Sequence, residues 1–379
     1  NELTEQLIAD WHAEIAALNI TPATVYPRAT REIPFIIEMI EGLIAKGFAY
    51  EVDGDVYYRV RAFSDYGKLS HRQLDDLLSG ARIEVDERKD DPLDFALWKA
   101  TKPGEPSWES PWGPGRPGWH IECSAMCSHH LGGVVDIHGG GADLIFPHHE
   151  NEIAQSEAYL GQEPFARYWV HNGLVQFGGD KMSKSIGNII RSRDLVERGL
   201  GEAFRLMVLQ SHYRAPLTFT EEGLEAADRG LDRLRAAAQP APNHAGGAPD
   251  AALRDLAGVV RARFIEAMND DFDTPKATAA LFDLARAINR AKSDNAAHDD
   301  VEASRGVLVE LAGVLGFQLD EQPKADLGAA EPFIDLLVSV RDQLRAAKQW
   351  ALSDLIRDEL NARGIEIADG ANGSTWRKS

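Results

Sequence analysis

Cysteine is nearly absent from this chain: Cys123 and Cys127 are the only two among 379 residues. Two thiols four positions apart on a probable helix cannot staple so large a fold, which excludes a disulfide framework and leaves each as a ligand or a core thiol. Long apolar runs are missing too. No stretch approaches the about 20 residues of a membrane helix, and the opening NELTEQLIADWHAEIAAL has no basic-then-apolar signal pattern, so a cytoplasmic location is expected. Positive charge is in deficit. With 40 Lys and Arg against 60 Asp and Glu the formal charge is −20, which argues against indiscriminate binding to nucleic acid without excluding a local basic surface. No solenoid-period repeat occurs, and low complexity is confined to QPAPNHAGGAPD at 239–250.

What remains is a globular composition, 44% apolar and 26% charged, long enough for two or three domains. Residues 1–51 read as two helices, the second carrying Ile36, Ile37, Met39, Ile40, Leu43 and Ile44 and closing near Gly47. FAYEV and DVYYRV read as a hairpin turning at Asp53 and Gly54. Over 62–118 the pattern breaks into a long Gly-, Pro- and Trp-rich loop, in which Trp98, Trp108 and Trp112 either plug a core edge or serve a site. From 119 to 175 helix and strand alternate as in an α/β fold: helix 119–131, strand 133–140, helix 146–160, strand 166–175. Beyond 190 come a connecting segment to 220 and amphipathic helices near 221–238, 250–268, 273–292 and 301–315. A last unit over 330–379 has two helices and a strand pair.

The chemistry concentrates in PGWHIECSAMCSHHLGGVVDIHGGGADLIFPHHENE, residues 117–152. Cys123, His148 and Glu152 supply the thiolate, imidazole and carboxylate donors that a borderline metal such as zinc accepts together, and His148 and Glu152, four apart, share a helix face. The alternative is a buried thiol and a surface His–Glu pair. Trp119, four before Cys123, suits a pocket wall. Gly139, Gly140 and Gly141 end a strand where an open α/β sheet admits nucleotide, with Asp143 placed for ribose hydroxyls; a tight turn explains the glycines equally well. Lys181 and Lys184, in the run KMSKS, can neutralise a polyphosphate during adenylate formation, or form a solvated basic loop.

Taken together, GWHIECSAM, DIHGGGADLIFPHHENEIAQSEA and KMSKSIGN, in that order, resemble the cysteinyl-tRNA synthetase family of class I aminoacyl-tRNA synthetases, and the resemblance spans the whole chain. It implies an α/β plus all-α protein: a Rossmann-like nucleotide-binding catalytic region with an inserted connective segment (1–116, then 117–190), a stem-contact segment (191–220), a helical bundle (221–325) and a small α+β anticodon-binding domain (330–379). It implies one Zn2+ held by Cys123, His148 and Glu152 to bind the substrate sulfur as thiolate, and Trp119 and His148 beside the amino acid. Gly139 to Gly141 and Asp143 fall on the adenosine side, and Lys181 and Lys184 on the mobile phosphate loop with Lys184 touching ATP. Arg345, Trp350, Asp354 and Asp369 match positions that contact anticodon bases; read from the residues alone, helix-surface charges and a core tryptophan are the alternative. The implied partners are tRNA(Cys), L-cysteine and ATP with Mg2+, with no membrane, and the chain is read as a monomer. Two family features are missing from the sequence, a HxGH-type signature and an N-terminal cysteine that supplies a fourth zinc ligand. Both would lie before Asn1, so a truncated chain is expected; Cys127 shares a helix face with Cys123 but does not match the fourth-ligand position. The competing readings are a mycothiol-pathway ligase joining cysteine to an amino sugar, which lacks a unit like 330–379, and a catalytically incomplete RNA- or metal-binding fragment.

Overall fold

The computed structural model describes residues 2–74, 87–177, 180–181, 191–241, 247–319, 331–361, 363–370 and 373–378, with the backbone alone at 180–181, 373 and 377–378. They form two compact units, Asn1–Phe317 and Gln318–Ser379.

In the first unit, α1 (Glu2–Ala17) precedes α2 (Ile33–Ala45). Pro34 sits in the first turn of α2, where a missing N–H costs nothing, and Ile36, Met39, Ile40 and Leu43 recur on one face and are fully buried. Each such side chain contributes about 1.5–3 kcal/mol on leaving water. The helix stops at Gly47, whose φ of +81° lets its N–H reach the Ile44 carbonyl at 2.9 Å and that of Phe48 reach Leu43 at 2.9 Å. The chain then enters β1 (Ala49–Val52), which pairs antiparallel with β2 (Asp55–Tyr58).

The stretch 62–118 is not the long loop that its Pro and Gly content suggests. It contributes β3 (Phe95–Ala100) and β4 (Gly115–Pro117), which complete a four-stranded antiparallel sheet in the order β1-β2-β3-β4. The strand signal in FALWKA is short and is flanked by turn residues on both sides, so it does not stand out by periodicity. Trp98 on β3 is fully buried, and Trp108 and Trp112 pack on the same core, so these rings do plug a core edge.

Next come α3 (Trp119–Leu131), β5 (Val135–Gly141), α4 (Glu150–Leu160) and β6 (Ala166–Asn172), the two strands parallel and α4 in the crossover. A single π-helical turn, Ile145–His149, interrupted by extended backbone at Phe146, leads into α4. A second small sheet pairs β7 (Val175–Phe177) antiparallel with β8 (Asp180–Lys181) and parallel with β9 (Leu217–Phe219). The segment 191–220 therefore carries this strand as well as α5 (Ser192–Glu197) and α6 (Gly201–Leu209). Helices α7 (Glu221–Ala238), α8 (Ala251–Asn269), α9 (Thr274–Ser293) and α10 (His298–Val314) follow as read from sequence. Side chains of Thr220, Asp250 and Asp273 cap the first three by accepting an N–H three residues on, at 3.0, 3.0 and 3.1 Å.

In the second unit, α11 (Glu331–Ala346) and α12 (Trp350–Asn361) pack with an antiparallel pair, β10 (Ile365–Gly370) and β11 (Gly373–Lys378), around Ile334, Val338, Leu360 and Ile365.

Candidate metal centre and active site

Helix α4 departs from the usual amphipathic pattern: Glu150 to Ala158 are all buried, although four are ionisable or amide side chains within the first six residues. Buried polar groups persist only when partnered. Glu150 accepts the backbone N–H of Gly67 at 2.9 Å and of Ser70 at 2.8 Å, Gln155 donates to Ser124 at 3.2 Å, and Glu157 accepts from Phe165 at 2.9 Å and Lys68 at 2.5 Å. Tyr58 on β2 donates to the Ala154 carbonyl at 2.8 Å. This lattice fixes the rotation of α4 and with it the direction of Glu152.

Glu152 is where the elements converge. The sulfur of Cys123 on α3, an imidazole nitrogen of His148 in the turn before α4 and a carboxylate oxygen of Glu152 lie within 4.8 Å of one another. His148 Nε2 is 2.7 Å from one oxygen of Glu152 and His138 Nε2 on β5 is 2.8 Å from the other. Neither contact has the angular geometry of a hydrogen bond, so both fully buried oxygens are left without a hydrogen-bond partner. Lone pairs that converge on a shared point rather than on each other's protons are what a bound cation satisfies. The donors, a thiol, an imidazole and a carboxylate, suit zinc with its bonds of about 2.0–2.3 Å. Among the described residues the group fits that ion, and Cys127 packs against the hydrophobic core instead of joining it.

The electrostatics agree with the geometry. Burial and the Glu152 charge push the Cys123 thiol up to about 12, so it stays protonated unless a cation takes the proton's place. Burial favours neutral Glu152, but the contacts with His138 and His148 outweigh it and hold the carboxyl down at about 2. Burial also lowers His120 and His149, each to about 4, so both are neutral near pH 7.

A histidine network surrounds the triad, and sequence reasoning missed most of it. His120 Nδ1 lies 2.9 Å from His148 Nδ1, and His149 Nδ1 lies 2.8 Å from His171 Nε2 on β6. Trp169 stacks parallel to His171 and leans on His138 and His149. A signal was present, since every one of these histidines except His171 lies in the 117–152 stretch, but the i, i+4 spacing singled out His148 alone. The cluster His138, His149 and Glu152 also brings ligand atoms within 4.8 Å, sharing Glu152 with the first group.

Trp119 opens α3, more than half exposed, and lies flat on His148. Its placement depends on Gly118, where a Cβ would meet the Ala96 carbonyl oxygen at 2.0 Å. Gly139, Gly140 and Gly141 close β5 at its carboxyl end opposite Val170, His171 and Asn172. At Gly140 a Cβ would come within 2.8 Å of the His149 ring, so the absent side chain is what lets that imidazole in. Asp143 is exposed just beyond. Lys181 ends β8, and Lys184 lies outside the described residues.

In the second unit, Arg345 and Asp369 are ion-paired with each other, and Asp369 also takes the buried Arg341 at 2.6 Å. Asp354 is 3.0 Å from Arg357. Trp350 is exposed at the start of α12.

Residues 1–229 match the family described as tRNA synthetases class I (C) catalytic domain, and residues 263–320 match the DALR domain. A cysteine–tRNA ligase of Dehalococcoides mccartyi strain 195 is 51% identical over 382 residues, covering 99% of this chain and 80% of its own length. That of Brevibacillus brevis is 46% identical, covering 100% and 81%. The methionyl-tRNA synthetase of Mycobacterium tuberculosis, solved with methionyl-adenylate, shares the fold at a TM-score of 0.55 and 17% identity over 80% of this chain and 75% of that one. No helix among the described residues is long and apolar enough to cross a membrane. On the family match and these identities, the chain belongs to the cysteine–tRNA ligase family of class I aminoacyl-tRNA synthetases.

Proposed function

We infer that this protein activates L-cysteine with ATP and Mg2+, releasing pyrophosphate, and transfers the cysteinyl group from the adenylate to tRNA(Cys), acting as a cytoplasmic monomer. The observation that carries this reading is the convergence of Cys123, His148 and Glu152 beneath Trp119, beside the glycine-terminated edge of β5. One Zn2+ bound by the three ligands would lower the pKa of the substrate thiol and hold its sulfur, for which a serine hydroxyl is a far poorer ligand. Selection by donor chemistry separates near-isosteric side chains that a merely size-measuring pocket distinguishes by only about 1–3 kcal/mol.

The protein's own residues do the rest. Trp119 walls the pocket and holds the His148 ring plane, while His120, 2.9 Å from the other nitrogen of that ring, sets which nitrogen faces the ligand group. Gly139 to Gly141 let the adenosine approach the backbone, Asp143 takes its ribose hydroxyls, and Lys181 and Lys184 neutralise the departing pyrophosphate. The substrate carboxylate attacks the α-phosphorus directly, so positioning and charge stabilisation do the work and no side-chain nucleophile is needed. Arg345, Trp350, Asp354 and Asp369 form the anticodon-facing surface of the second unit, with Trp350 exposed for stacking on an unpaired base. Cysteine-dependent ATP–pyrophosphate exchange followed by charging of tRNA(Cys), both with the full-length protein, tests the reading. Exchange that serine supports as well as cysteine, or product on an amino sugar in place of tRNA, would overturn it.

A further inference from the structure

A second cluster of metal-ligating side chains lies at the far end of α3. His129 and His130 fall in its last turn, and Glu32 immediately precedes α2. His129 Nδ1 is hydrogen-bonded to one oxygen of Glu32 at 2.7 Å and His130 Nε2 to the other at 3.0 Å, so an ion here would replace two protons, and one ligand atom from each residue lies within 4.8 Å of the rest. Consecutive helix residues point about 100° apart, and the two neighbouring imidazoles reach the one carboxylate through different ring nitrogens, Nδ1 of His129 and Nε2 of His130. Phe35 stacks on His129 with ring centroids 3.6 Å apart and planes 22° from parallel, which fixes the plane of that ring, and the Glu32 contact sets Nδ1 toward the carboxylate.

The burial is graded in the way an ion-accepting site requires. The Glu32 side chain is 8% exposed, whereas those of His129 and His130 are 36% and 26% exposed, so an ion can enter from solvent and finish against a desolvated carboxylate. Burial alone would favour the protonated acid, but the contacts with His129 and His130 outweigh it and keep Glu32 ionised. The cluster is separate from the triad, because His129 lies six residues from Cys123, about 9 Å along the helix.

We propose that Glu32, His129 and His130 form a second divalent-metal site, taking a borderline first-row ion such as Zn2+ or Cu2+ through two imidazole nitrogens and one carboxylate, with water completing the shell. Neutral imidazole and carboxylate suit these ions, and three protein ligands plus water leave the site weaker and more exchangeable than one containing a thiolate. The ion ties the start of α2 to the end of α3, two helices that pack on each other and on the core beneath the first site.

Equilibrium dialysis of the full-length protein against Zn2+ tests this directly. Wild type should take up one tight equivalent and a second, weaker one. His129→Gln and His130→Gln should each lose the second equivalent and keep the first, and Glu32→Gln should weaken the second by more than tenfold. A single equivalent in wild type, or a second that survives in both histidine variants, overturns the proposal and leaves the cluster an ion pair between helix ends. A measurement on unaltered protein guards against variants that fail to fold. Cu2+ added to wild type carrying a single equivalent of Zn2+, which fills the tighter site, should give an electron paramagnetic resonance spectrum with coupling to two nitrogens, and coupling to fewer than two would defeat the assignment.

Discussion

Trp119 lies face to face on His148, with ring centroids 4.6 Å apart and planes 25° from parallel, although more than half of the indole is open to solvent. A ring that packs on an imidazole while exposing its other face is placed to close over a small substrate. Stacked aromatic pairs contribute about 0.5–1.5 kcal/mol beyond buried area. Trp119→Ala should therefore raise the KM for cysteine by up to about tenfold, with the KM for ATP little changed, and Trp119→Phe should recover most of the loss. Steady-state exchange kinetics check this, and an equal rise in both KM values would mean a general loosening of α3.

Metal retention separates direct ligands from supporting residues. Cys123→Ser and Glu152→Gln each remove one of three donors and should lose zinc by more than the about 10–100-fold that loss of an outer partner costs. His120→Ala removes only the 2.9 Å partner of His148 and should fall inside that range. Chelation of the wild-type protein should abolish cysteine-dependent exchange, with recovery on adding Zn2+. Elemental analysis after dialysis reads the affinities, and unchanged zinc in Cys123→Ser would remove the sulfur ligand from the account.

Lys184 bears on charge that grows at the leaving group, so its removal should appear in kcat. Lys184→Ala should slow pyrophosphate exchange by about 10²–10³-fold while the KM for cysteine moves little, as expected for a donor that acts mainly in the transition state. Single-turnover formation of the adenylate reads this step. A loss confined to the KM for ATP would recast the lysine as a ground-state contact.

The convergence of Cys123, His148 and Glu152 was legible because a thiol, an imidazole and a carboxylate are a distinctive set and residues four apart along helical backbone come to one side, even though His148 lies in the turn before α4. The bundle helices were legible for the same reason, with Leu281, Leu284 and Ile288 buried at regular intervals. Strand β3 was not, because six residues carry too few periods to outvote the prolines and glycines around them. The burial of helix α4 was not legible: ENEIAQ carries no apolar stripe, and only tertiary partners on 58–70 and at Ser124 reveal it as interior. The pairing of Arg345 with Asp369 was equally invisible, since it joins α11 to β10 across more than twenty residues.

Glu150 offers a sharp test of that buried lattice because both of its oxygens act only as acceptors, one toward Gly67 and the other toward Ser70. Glu150→Ala leaves these N–H groups unpaired at a cost of about 1–3 kcal/mol. Glu150→Gln should cost nearly as much, because its amide NH2 must face one of the two donors. Thermal unfolding should show similar losses for the two variants, with faster proteolysis across 63–72. A Gln variant as stable as wild type would mean that this segment can re-pair with water.

In the second unit, Asp369 couples three groups: Arg341 at 2.6 Å, Ser374 at 2.9 Å and Arg345. The hydrogen bond from Arg341, with those from Ser374 and Arg345, holds its carboxyl well below the usual carboxylate range despite an opposing effect of burial. A carboxyl whose folded pKa is depressed adds stability that is fully present above its unfolded pKa of about 3.9, and that stability fades as pH falls from there toward the folded value. Because Asp369 is nearly half exposed, solvent screening keeps the gain modest. Removing it is costlier than that gain suggests, since Arg341 is buried and among the described residues keeps only Asp342, at 3.6 Å, as a second carboxylate. Asp369→Asn should therefore lower protection of β10 and β11 at pH 7 and flatten its dependence below pH 4. Hydrogen exchange of peptides from 365–378, corrected for intrinsic rates, measures both effects, and a variant that kept the wild-type acid dependence would place the titrating group elsewhere.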